Sequence, residues 1–167
     1  NINVEEQPTG EIGAGAGIGT SGGTLAFNIK ENNWLGEGKA LAFEVQLDDE
    51  SIAGNLTFSD PNYDFLGNSL YYSVASEQND RPNQGYENSI ISASIGTSFE
   101  QYRDVDVNLG ISASFDDLKT EDSASASLKK QSGNFSELSA NYGFTFDKRN
   151  RVFMPTSGSV YSFSQSL

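Results

Sequence analysis

Apolar and polar residues alternate along this chain with a period of two, and that period predicts strands. Ile12, Ala14, Ala16 and Ile18 alternate with Gly13, Gly15, Gly17 and Gly19. Leu25, Phe27 and Ile29 share one face, as do Leu41, Phe43, Val45 and Leu47. Ile52, Leu56 and Phe58 follow, then Leu70, Tyr72 and Val74, then Ile91, Ala93, Ile95 and Phe99. Further on come Val105–Phe115, Leu138–Phe146, and a last segment with Val160, Tyr161 and Phe163. Turn residues break the pattern at Thr20–Gly23, Asn32–Gly38, Asp48–Ser51, Asp60–Asn68, Glu100–Asp104 and Asp147–Gly158. Polar stretches at Glu77–Asn88 and Asp116–Phe135, the second containing a SASAS patch, read as the long loops. No helical periodicity of useful length occurs. The fold class expected is all-β, an antiparallel meander of about nine strands.

The face opposite the apolar one decides between a soluble sandwich and a membrane barrel. It carries Ser, Gly, Asn, Ala and Thr, with charges mostly in the turns. Small polar side chains suit a wide lumen, with the apolar face turned to lipid. The two long polar connections fall at one end of the meander. Trp34, Tyr63, Phe65, Tyr102 and Phe153 fall at the other, with Phe58, Phe99 and Phe146 beside them. Aromatics at one level predict a membrane-interface girdle. An odd strand count and an open lipid-facing sheet both imply that the barrel is completed elsewhere in a longer protein.

Composition narrows the chemistry. The 167 residues contain no Cys and no His, and the net charge is −13. That removes thiolate and imidazole metal sites, the commonest general base and any Ser–His nucleophile pair. Nucleic acid is an unfavourable partner for such a charge. No enzyme activity, cofactor or metal is expected. The acidic groups Asp48-Asp49-Glu50 and Asp116-Asp117 read as solvated turns, with an ion bridge as the lesser alternative. Arg149 and Arg151 fit lipid phosphates or a solvated turn equally. Gly17–Gly22 matches G-x-G-x-x-G, but a strand pattern follows it where a dinucleotide site needs a helix.

Four ordered segments resemble the BamA family of bacterial outer-membrane β-barrel insertases. VEEQPTGEI followed by GAGIGTSGG is similar to that family's junction between its last periplasmic POTRA domain and barrel strand one. ENNWLGEGKAL, with Asn33, Leu35, Gly36 and Gly38, resembles its first periplasmic turn. LTFSDPNYDFLGNSLYYSV, with Asp60, Pro61 and Gly67, resembles the second. FDKRNRVFMPTSGSVYSFS, with Asp147, Arg149, Pro155, Thr156 and Gly158, resembles a later one. The resemblance implies that residues 1–10 end a POTRA-like domain and that 11–167 form the N-terminal part of a transmembrane β-barrel. It implies location in the bacterial outer membrane. It implies a protein that folds and inserts unfolded outer-membrane proteins, with lipid and accessory assembly lipoproteins as further partners. The gate where client strands pair would be the first strand, Ile12, Gly13, Ala14, Gly15, Ala16, Gly17, Ile18 and Gly19. Glycines at alternate positions weaken a strand's own pairing, as an opening seam requires, although they equally allow a sheet to bend. A related translocation channel, a passive porin or a soluble adhesive sandwich are the alternative functions.

Overall fold

The computed structural model describes residues 8–19 and 22–167. The turn expected at Thr20-Ser21, and the stretch Asn1–Gln7, lie outside the described residues. Nine strands form one sheet in sequence order. They are β1 (Gly10–Gly19), β2 (Gly22–Trp34), β3 (Lys39–Asp48), β4 (Ser51–Asp60), β5 (Ser69–Arg81), β6 (Tyr86–Tyr102), β7 (Val105–Thr120), β8 (Gly133–Asp147) and β9 (Val160–Ser166). Every neighbouring pair is antiparallel, so the meander inferred from the alternation is the observed fold.

Register sorts the side chains. The row Ile12, Ile29, Phe43, Leu56, Val74, Ala93, Ala113, Leu138 runs straight across eight strands on the apolar face. The adjacent row Gly13, Asn28, Glu44, Asn55, Ala75, Ser92, Ser114, Glu137 lies on the other face. No second sheet packs on either face among the described residues. Large apolar side chains of the first face therefore stay exposed, Phe43 at 42% and Phe144 at 44%, and Ala124 is the single buried apolar residue among those described. Such a face needs an apolar cover, either lipid or a second sheet.

The polar face carries more charge than the sequence reading gave it. Glu44, Glu77, Asp116 and Glu137 occupy its rows, opposed there by Lys30.

Two expected loops prove to be strand. β5 continues to Arg81 and β6 resumes at Tyr86, leaving Pro82–Gly85 as the connection. Likewise β7 runs to Thr120 and β8 begins at Gly133. The β5 and β6 extensions are polar on both faces and those of β7 and β8 hold only Leu118 and Phe135 as large apolar residues, so no alternation marks them. They are held by ladder pairing and by contacts such as Gln78 Nε2 donating to Glu87 Oε1 at 3.0 Å. Within the second loop, the SASAS patch starts a four-residue helix, α1 (Ala126–Lys129), whose N-cap Ser125 accepts from the Leu128 N–H at 3.3 Å. β2 also runs through Asn32 and Asn33 to Trp34, with a register shift between Glu31 and Trp34.

Candidate functional site

β1 is the sheet's edge, and its ladder has a definite parity. Asn32 N–H donates to the carbonyl of Thr9 at 3.1 Å, which makes the residues at that rung a hydrogen-bonded pair. Alternating along the register, Glu11, Gly13, Gly15, Gly17 and Gly19 spend their backbone groups on β2. The N–H and C=O of Ile12, Ala14, Ala16 and Ile18 point to the free edge. The eight candidate gate residues thus divide. The glycines anchor the strand, and the backbone donors and acceptors of the four residues between them have no partner among the described residues. Ladder parity has no signature in sequence, so this division was not visible there.

The glycine row is bare over most of its length. A Cβ on Gly13 would meet the amide oxygen of Asn28, but one on Gly15, Gly17 or Gly19 would meet nothing within 4 Å. Glycines in the middle of the sheet on the same face are covered. Gly96 lies under the ring of Tyr71, and Gly143 lies 2.7 Å from Asn108 Oδ1 by the same measure. On the outer face, Ile12 and Ile18 are 76% and 95% exposed. The outward apolar row spans Leu25–Ile29 on β2, about 13 Å of strand, the same length as Leu70–Val74 on β5. G-x-G-x-x-G forms no dinucleotide site, because Gly17 and Gly19 end β1 and Gly22 opens β2.

The five candidate interface aromatics gather at one end of the sheet. Trp34 ends β2, Tyr63 and Phe65 lie in the β4–β5 turn, Tyr102 ends β6 and Phe153 lies between β8 and β9. All are exposed, Phe65 at 98%. On β8 and β9 outward aromatics also pair, Phe144 with Phe163 stacked at 5.6 Å and Phe146 with Tyr161 at 6.4 Å. The turns that present the interface aromatics are built by the residues singled out from sequence. Asn33 Oδ1 accepts from Gly38 N–H at 2.7 Å, and Leu35, Gly36 and Gly38 take positive φ. Asp147 grips Arg149 through Nε and Nη2. The side-chain hydrogen bond from that guanidinium holds the Asp147 carboxyl down at about 2.

The acidic turn at the opposite end is committed to its own donors. Asp48 accepts from Thr24, Gln46 and Ser51, and Glu50 pairs with Arg81. Nothing in that geometry marks an ion site.

The Omp85 superfamily domain model matches residues 33–167. The chain belongs to the Omp85 superfamily. It is 26% identical over 165 residues to the outer membrane protein assembly factor BamA of Neorickettsia risticii, covering 94% of this chain and 22% of that protein. It is 26% identical over 112 residues to BamA of Neisseria meningitidis, covering 66% of this chain and 13% of that protein. The crystal structure of Haemophilus ducreyi BamA lacking POTRA domains 1–3 superposes with a TM-score of 0.71 at 23% identity, over 98% of this chain and 34% of that one. This Omp85 segment therefore spans about a fifth of the first relative's length and has the fold of a BamA barrel's strands. Membership makes it part of a bacterial outer-membrane β-barrel, with the exposed apolar face toward lipid.

Proposed function

We propose that this chain is the N-terminal part of the barrel of an outer-membrane protein assembly factor, and that β1 forms one side of a lateral gate. The observation that carries the reading is β1 itself, a strand weakened by alternate glycines whose Ile12, Ala14, Ala16 and Ile18 backbone groups face away from β2. An unfolded outer-membrane protein would add its strand there by β-augmentation. Backbone hydrogen bonds supply the affinity, and burial of the client's apolar face in lipid supplies the driving force. No bond-making chemistry, nucleotide or cofactor takes part. Further partners in this reading are outer-membrane lipid and accessory assembly lipoproteins.

The test is reconstitution of the full-length polypeptide in lipid vesicles with an unfolded barrel protein as client. The reading predicts faster appearance of protease-resistant client than in empty vesicles. Ion conductance without any client acceleration would instead make the protein a channel.

A further inference from the structure

The connection between β8 and β9 joins charge, aromatic surface and an apolar tip in a way the gate does not use. Lys148, Arg149 and Arg151 fall within four consecutive positions of a chain whose net charge is −13. Their roles differ. Arg149 is locked onto Asp147 and serves the turn. Asn150 completes the turn, accepting from Thr156 N–H at 3.1 Å and donating to Thr156 Oγ1 at 2.9 Å. Lys148 and Arg151 make no ion pair among the described residues.

Lys148 lies two rungs beyond the outward Phe146–Tyr161 pair, on the same face, and its Nζ sits 5.4 Å from the centre of the Phe146 ring. Its charge is thus held at the level where the outward aromatics end. Beyond Arg151, Val152, Phe153 and Met154 are 80%, 80% and 70% exposed. Exposed apolar side chains beside two free cations, at the end of a lipid-facing aromatic cluster, match an anionic headgroup above acyl chains.

We propose that this connection is a binding site for an anionic phospholipid of the leaflet at that end of the barrel. In the orientation the turn motifs imply, that leaflet is the periplasmic one. Lys148 and Arg151 engage the phosphate, and Phe146, Tyr161 and Phe153 flank the glycerol and upper acyl chains. The partner is fixed by complementarity: two unpaired cations select a net negative headgroup, and a zwitterionic one carries its own compensating cation.

The experiment uses the full-length polypeptide in phosphatidylethanolamine vesicles carrying a trace of photoactivatable phosphatidylglycerol or phosphatidylcholine. Labelled peptides are mapped by mass spectrometry. Phosphatidylglycerol should label the segment 147–158 about fivefold more than phosphatidylcholine. Lys148→Gln with Arg151→Gln should abolish that preference, and Lys148→Arg with Arg151→Lys should keep it. Arg103→Gln, a cation in the β6–β7 turn at the same end, should leave it unchanged. Equal labelling by both lipids overturns the proposal. So does an undiminished preference in the double Gln variant, or an equal loss in Arg103→Gln, which would indicate a diffuse field. The conservative pair keeps the test decisive if the double Gln variant folds poorly.

Discussion

Tyr71 of β5 lies directly across from Gly96 of β6, and its ring covers that glycine on the polar face. The hydroxyl end reaches on to Gly110 of β7, where a Cβ would stand 3.1 Å away. An aromatic laid over glycines of neighbouring strands fills the gap they leave and ties three strands together. The bare glycines of β1 have no such cover, which sets a firm middle of the sheet against a loose edge.

Tyr71→Ala should therefore destabilise the barrel by about 1–2 kcal/mol, since the ring is already partly exposed. Tyr71→Phe should cost much less, because the ring and not the hydroxyl covers Gly96. Urea unfolding midpoints of the full-length polypeptide in vesicles would measure both.

The parity of the β1 ladder predicts opposite consequences for neighbouring prolines. The Ala16 N–H faces the free edge, so Ala16→Pro should leave the β1–β2 ladder intact and slow client folding about tenfold. Gly17 bonds to β2, so Gly17→Pro should cost the barrel itself about 1–3 kcal/mol. Vesicle folding assays and urea midpoints, run on the same two variants, separate these outcomes.

The Asp147–Arg149 pair predicts an acid-sensitive turn. Asp147 lies just past the outward row Leu138–Phe146, and its folded value of about 2 lies below the ordinary 3.8. A depressed carboxylate stabilises fully above the ordinary value, and that contribution is lost as pH falls from 3.8 through about 2. Amide exchange protection across 148–159 should fall over that window, and Asp147→Asn should remove the pH dependence while lowering protection at neutral pH.

The sequence showed the outward rows because lipid demands an apolar residue at every second position, as from Val105 to Phe115. Turns were legible where Asn33, Gly38 or Asp147 must take particular roles. Strand ends were not, because Gln78–Arg81 and Tyr86–Ser89 lie past the apolar band and are polar on both faces. Tyr71 stands inward against the pattern, and its purpose depends on Gly96 and Gly110, which only the register brings beside it. A single turn such as α1 is shorter than any period that could announce it. Of the candidate site, the strand was found and its division into anchoring glycines and edge-facing residues was not.

The central claim is that client strands pair with the edge of β1, and disulfide trapping tests it most directly. Client residues opposite Gly15 and Gly17 would sit in non-hydrogen-bonded pairs, with Cα atoms about 4.5 Å apart, inside disulfide range. Single cysteines would replace Gly15 or Gly17 in the full-length protein and scan the terminal strand of a stalled client. The account predicts crosslinks at both positions, shifting by two client residues between them in antiparallel order. Crosslinks confined to other strands, or none at β1 while the client still folds, would contradict it.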